Sequence, residues 1–489
     1  MLLLLAACAS LSDSTTVSVP GPDGRLAFLT PLTIEAGSAL GAARLQVTTD
    51  RPATLEVRWD DETRAWPMAP THDVSVVGLG VDRRVDLTIE LATEDGARTV
   101  TRWALDIDDL DGPMPDIDLL AWEPDRTEPG HLLVHARPPG ELGVMLLFDE
   151  QLEVTWAWAP DRDVRDLRPH EGALLLESGG NLFALDWTGD VTAVLTRRGQ
   201  APGAQLPGDV RIHHEAYPLD DGSWLALDRH VQAVPRYPDE PDGVPADVLV
   251  ERAVRLAPQG FVMREARFDA LLDLGRAPPL ALSVTPRGYD WVHTNGIIPD
   301  PRDGGWIVSS RHQSALFKID GTGALTWLLA DPEGWDARFA RWLLEPVGDL
   351  GWPDAQHAPE LDDGVLVVFD NRTESAEPSR VVGYHIDEAL GTVEEAFVLD
   401  ETATGPEHSD ALGDADVQPL TGNVLAMYGY LDGWGGETAA EMGIGELAIA
   451  VVEWARDTPE VPVLDLRMSA PAGGGWKAYR VAKLLVPGR

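Results

Sequence analysis

The chain has one cysteine and three lysines among 489 residues. A single thiol excludes an intrachain disulfide, so the fold has only its buried core to rely on. With lysine confined to Lys318, Lys477 and Lys483, the 38 basic residues are almost all arginine, whose planar guanidinium suits bidentate anion binding. Positive charge is scarce as a whole. Against 38 basic residues stand 81 acidic ones, a net charge of -43, and such a field excludes nucleic acid as a partner while keeping the surface solvated. Long apolar runs are also missing; the N-terminal "MLLLLAAC" is too short to span a bilayer and has no basic residues before it.

What the chain does have is turn formers. Its 47 glycines and 38 prolines, with 44% hydrophobic residues, point to an all-β protein with many turns and few long helices. Residues 20–107 alternate apolar and polar positions in short runs ("RLQVTTD", "TLEVRWDD", "VDLTIELAT"), the pattern of a small β-sandwich. The acidic, proline-bearing stretch 108–130 reads as a linker. Residues 1–19 end in a Ser/Thr-rich tether, and "LAAC" ahead of it is similar to the lipobox of bacterial lipoproteins. That similarity implies lipidation of Cys8, a signal sequence that starts upstream of this Met, and an exported protein, periplasmic or on the cell surface, whose only membrane contact is the lipid.

Residues 131–489 carry a loose repeat. "HHEAYPLDDGSWLALDRH", "VHTNGIIPDPRDGGWIVSSRHQ", "QHAPELDDGVLVVFDN" and "DADVQPLTGNVLAMYGY" each have a polar start, an apolar pair, a Gly-centred turn and an apolar strand. Units of roughly 40 to 60 residues are the size of four-stranded propeller blades. This gives an expected six-bladed β-propeller, with "GGGWKAYRVAKLL" supplying the strand that closes the ring. Around 333–346 the spacing of Trp335, Phe339 and Trp342 predicts a helical insertion that packs rather than binds.

In a propeller, residues that open a repeat converge on a central funnel. Those openings hold His213 and His214, His293 and His357, and Arg311 follows the Gly304–Gly305 turn of the His293 unit. Shared repeat position is the signal, because packing alone would favour apolar residues there and an unpaired buried imidazole is costly. Three histidines suggest a metal. No acidic or thiol ligand recurs at the same repeat position, however, and Arg311 opposes a cation. An anion site without metal or cofactor fits better. His170 and His408 lie in weaker copies of the pattern and are read as structural and as outside the site.

As an ordered set, "HHEAYPLDDGSWLAL", "WVHTNGIIPDPRDGGWIVSSRHQSALFKID", "QHAPELDDGVLVVFDN" and "WKAYRVAKL" resemble the bacterial arylsulfotransferases that take aryl sulfates as donors. The resemblance implies transfer of a sulfuryl group from an aryl sulfate to a phenolic acceptor, by ping-pong kinetics through a sulfohistidine, in a protein that can form a homodimer. Carried over by motif, His357 is the nucleophile and His293, Arg311 and His214 bind the sulfate. His213 remains a rival to His214, one residue away. The alternative is a non-catalytic propeller lipoprotein that binds a ligand or partner in its central funnel, since a fold can outlast its reaction.

Overall fold

A computed structural model describes residues 10–110, 114–137, 142–200, 202–235, 237, 245–276, 284–432, 447–469 and 476–486. The chain is all-β, and Cys8 lies outside the described residues.

Residues 10–107 form one continuous six-stranded antiparallel sheet instead of the two facing sheets expected of a sandwich. The cause is an 18-residue strand, Ala42–Trp59, whose first half pairs with Thr33–Ala36 and whose second half pairs with Arg83–Ala92. Its partner Glu62–Val77 runs along the whole length, with bulges near Thr48 and Ala53 that let the sheet bend over its own core of Leu45, Val47, Leu55 and Val57. The expected Ser/Thr tether is itself part of this sheet. Ser10–Val19 pairs with Arg98–Ile107 as the edge strand, where the β-branched Thr15, Thr16, Val17 and Val19 suit extended backbone while staying exposed.

The rest of the chain forms six further sheets of four to six strands. Six strands, one per sheet, touch in a closed cycle: Asp166–His170, Ile212–Pro218, Thr294–Asp300, His357–Asp362, Asp414–Val417 and Lys477–Leu484. Lys477–Leu484 pairs with His131–Arg137, so one sheet is built from both ends of this region. The stretch 108–130, expected as a linker, contributes Asp116–Trp122, the outermost strand against Pro462–Ser469.

The continuous apolar runs follow from burial on both faces. In "VLVVFD", Leu366 and Val368 pack with Ile307 and Leu316 of the preceding sheet, whereas Val367 and Phe369 pack with Val424 and Ala426 of the next. Leu174 and Leu176 face one neighbour and Leu175 the other in the same way. A strand buried on both faces has no polar face to alternate with, which is why the pattern loses its period of two. The helical insertion does not form. Only Ala337–Phe339 makes a single 3-10 turn, with Trp335 and Phe339 rings 5.5 Å apart; Pro332 and Pro346 bracket the segment, and Gly334 lies inside it at a φ of 79°. Among the described residues no helix is long and apolar enough to cross a membrane.

Candidate active site

Three neighbouring strands of the cycle begin irregularly. Register shifts between Ile212 and Ala216, between Thr294 and Gly296, and between His357 and Glu360. At or beside each shift one residue is left-handed: His214 at φ 55°, His293 at 41° and Ala358 at 49°. Such bulges re-aim side chains that a regular strand would send into the sheet interface, and histidine is among the residues that tolerate this conformation best. Gly296 is required here by contact, since a Cβ on it would lie 2.3 Å from Pro359 Cδ of the next sheet. The closing strand is bulged as well, between Ala478 and Val481, which frees Tyr479 and Arg480 from the ladder.

The bulges meet at one cavity. Its walls include His214, Asn295, His357 and Ala358 from the bulged strands, Tyr479 and Arg480 from the closing strand, and Arg165 and Asp166 from the sheet between. His357 is buried, and its Nδ1 lies 2.6 Å from Asn371 Oδ1. Asn371 Nδ2 donates to the carbonyls of Ser409 and Leu412, both at 2.7 Å, so Oδ1 is the end left to face the imidazole. An amide oxygen only accepts; His357 Nδ1 must therefore carry the proton, and Nε2 keeps its lone pair. Burial, with Arg311, holds the imidazole well below its usual range, although the Asn371 bond pulls the other way and His293 and Arg480 add to the depression. At neutral pH it is an uncharged base with one free nitrogen.

His214 faces the cavity and His213 does not. Their Nδ1 atoms are 2.8 Å apart, and His213 is fully buried with its Nε2 3.6 Å from Glu251 Oε1. Burial depresses both imidazoles strongly. The His293 ring sits 4.9 Å from that of His214 and stacks at 4.5 Å on His312, with Nδ1 2.6 Å from Asp290 Oδ2. Arg311 donates from Nη2 to the Asp410 carbonyl at 3.1 Å, while its buried Nε has no partner. A guanidinium N–H is a strong donor to anions, and Arg168, Arg229 and Arg276 are likewise left with an unpaired buried Nε. The structure thus brings His214, His293 and His357 together with Arg311 close enough to act on His357 electrostatically. His408 bonds the Glu377 carbonyl and Asp410 beside them, and His170 packs edge-on against Trp224 away from the cavity.

Among the described residues, Asp290, His293 and His312 each bring one ligand atom to within 4.8 Å of the others. The two rings are nearly parallel, at 27°, and a shared ion would lie outside the plane of at least one of them, where no lone pair points. Asp290 instead hydrogen-bonds His293, so the trio fits a hydrogen-bonded pair better than a metal cage.

Sequence reading missed Asn371, Asp290, Asn295, Tyr479 and Arg480. Two of them carried a faint signal: Asn371 ends an apolar strand with a polar residue, and Arg480 interrupts the closing strand. Asp290 had none, since its role depends on a backbone turn three residues before His293.

The sequence profile described as "Arylsulfotransferase (ASST)" matches residues 122–471. An arylsulfate sulfotransferase of Escherichia coli O6:H1 is 34% identical over 144 residues, covering 24% of each chain, and that of Lelliottia amnigena is 36% identical over 132 residues, covering 22% of each. The matched stretch thus spans about a quarter of these curated relatives. Among solved structures, a periplasmic gluconolactonase of Pseudomonas aeruginosa aligns over 73% of this chain and 99% of its own at 13% identity, with a TM-score of 0.36, too remote to carry an argument. Because the family profile covers most of the chain, the protein belongs to the arylsulfotransferase family.

Proposed function

We propose that the protein moves a sulfuryl group from an aryl sulfate to a phenolic acceptor by a ping-pong route through a sulfohistidine at His357. The six sheets in this reading are the blades of a six-bladed β-propeller, a view supported by the closed cycle of touching strands. The observation that carries the mechanism is the clamp on His357: Asn371, locked by two carbonyls, fixes the proton on Nδ1 and presents Nε2 as a neutral nucleophile. The profile match and the likeness to arylsulfate sulfotransferases support the substrate class.

Sulfuryl transfer, like phosphoryl transfer, passes through a loose in-line transition state with charge spread over the equatorial oxygens. Positioning and electrostatics therefore supply most of the rate. In this reading Arg311, His214 and His293 hold those oxygens, supported by the 4.9 Å between the His214 and His293 rings. His357 Nε2 forms the N–S bond as the aryl oxygen departs with the electron pair, and a second phenol reverses the step. Export and anchoring through a lipid on Cys8, and pairing into a homodimer, complete the proposal.

The test is incubation with 4-nitrophenyl sulfate and a phenol, followed by mass spectrometry after quenching. Nitrophenol release and one sulfuryl adduct on His357 are expected. An unmodified His357 with no turnover would leave a non-catalytic funnel that binds a ligand, and would sink the mechanism.

A further inference from the structure

The four histidines at or next to the cavity, with His214 and His357 in its wall, are not equivalent, and the difference lies in what backs each ring. His357 is backed by a neutral amide, and His213 and His214 back one another. His293 is the one of the four that hydrogen-bonds a carboxylate: Asp290 Oδ2 lies 2.6 Å from its Nδ1, whereas Glu251 stays 3.6 Å from His213 Nε2, and His293 Nε2 has no hydrogen-bond partner among the described residues. Asp290 is itself fixed. Its carbonyl accepts from His312 Nδ1 at 2.6 Å, the carboxylate is 4% exposed, and its second oxygen, Oδ1, is buried with no partner. A carboxylate so enclosed has its charge offset chiefly by a proton on the neighbouring ring.

We infer that the Asp290–His293 pair is the proton shuttle of the transfer reaction, with His293 the catalytic acid and base towards the phenolic oxygen and Asp290 its positioning residue. The inference rests on the sulfotransferase reading above. In the first half-reaction the S–O bond of the aryl sulfate breaks, its electron pair leaves on the phenolic oxygen, and the proton on His293 Nε2 moves to that oxygen as His357 Nε2 bonds to sulfur. In the second half-reaction the acceptor phenol gives its proton to His293 Nε2 while its oxygen bonds to sulfur and the N–S pair returns to His357. Atoms and charge balance over the cycle, and no other reactant is needed. Asp290 holds the ring in the tautomer that exposes Nε2 and stabilises the imidazolium that enters the first half-reaction and is restored by the second, as a buried carboxylate does behind a catalytic histidine in hydrolases. Burial alone would raise the Asp290 carboxyl; the charge and hydrogen bond of His293, with His312, bring it to about 2, so it stays ionised throughout.

The proton matters most when the leaving group is poor, and this separates a shuttle from a scaffold. The experiment measures donor kcat/KM for wild type, D290N and D290E over substituted phenyl sulfates ranging from 4-nitrophenyl, a good leaving group, to 4-methoxyphenyl, a poor one. D290N is expected to lose about 10² to 10³-fold with the poor leaving group and less than about tenfold with 4-nitrophenyl sulfate. D290E, which keeps a carboxylate, restores the wild-type dependence in part. A uniform loss across the series, or no loss, overturns the shuttle. If D290N does not fold, the decision passes to D290E and H293Q. H293Q, which keeps a polar group but no titratable one, is expected to show the steep dependence on leaving group, and a flat dependence overturns the inference. Failure of the parent reading looks different: wild type then forms no adduct on His357 even with 4-nitrophenyl sulfate, and both claims fall.

Discussion

The cycle of six strands is divided into two halves that treat charge in opposite ways. On one side Arg480, half-buried, gives Nε to Asp166 at 3.2 Å, Nη1 to Asp414 at 2.7 Å and Nη2 to Glu215 at 3.1 Å, and Arg168 pairs with the same Glu215 while lying 4.7 Å over the Tyr217 ring. Each guanidinium there has its counter-charge. On the other side, His213, His214, His293 and His357 have two carboxyl groups beside them, Asp290 on His293 and Glu251 3.6 Å from His213, and an arginine, Arg311, that hydrogen-bonds a carbonyl instead of a carboxylate. The position in the fold is the same, but the first half uses its charges to hold strands together and the second keeps donors and lone pairs in reserve. A cavity between the two has ion-paired Arg480 and Asp166 in one wall and His214 and His357 in the other.

The sharpest way to break this comparison is at the nucleophile. H357A is expected to lower turnover at least about 10⁴-fold, with no sulfuryl adduct, since loss of a nucleophile abolishes the covalent route; adduct on another histidine in the wild-type digest would move the reactive wall elsewhere. Next come the two arginines as a matched pair. R480M strands three buried carboxylates and is expected to cost about 3 to 5 kcal/mol in urea unfolding. R311M gives up one bond to a carbonyl and is expected to cost only about 1 kcal/mol, while turnover falls about 10² to 10³-fold. If the stability losses came out reversed, the two halves would have been misassigned.

A smaller effect separates the tautomer clamp from the nucleophile it holds. N371L frees His357 to rotate and to shift its proton, and the rate of adduct formation is expected to fall about 10²-fold with the adduct still on His357. Mass spectrometry of the adduct against time reads this directly.

The gentlest probe is pH. His357 is depressed well below the usual imidazole value, so it stays neutral, and adduct formation with 4-nitrophenyl sulfate should change less than about twofold between about pH 8 and pH 6. Stability goes the other way for this wall. The unfolded chain protonates these imidazoles below about pH 6.5, the folded chain does not, so acid favours unfolding as pH drops through that range. Glu177 shows the opposite sign. Burial raises it to about 7, so the folded state retains a proton that the unfolded state has lost, and its contribution fades as pH rises through 7. Urea unfolding of H213Q against wild type from about pH 5 to pH 8 checks the histidine share: wild type is expected to lose stability relative to H213Q as pH falls below about 6.5, with a constant difference above it.

Much of the site was legible because repeats carry positional information. His214, His293 and His357 stand at matching places in successive units, and polar residues recurring where packing wants apolar ones are visible without coordinates. What was illegible is the set of partners. Asn371 is 14 residues from His357 and is held by carbonyls 38 and 41 residues further along. The choice between His213 and His214 turns on a local bulge and a left-handed φ, which no pattern of residue types encodes. The helix expected around Trp335 failed for a related reason: aromatic spacing of three and four fits a helix, but flanking prolines and tertiary packing settled the segment as a single turn.

By itself the sequence determined the all-β class, the anion-favouring chemistry of an arginine-rich, lysine-poor chain, and the histidines that open successive repeats. These depend on composition and period, which are local properties. Tertiary structure alone decided which imidazole keeps a lone pair, which is backed by a carboxylate and which arginine is left with a free N–H, because each of those states is set by a hydrogen-bond partner brought from a distant part of the chain.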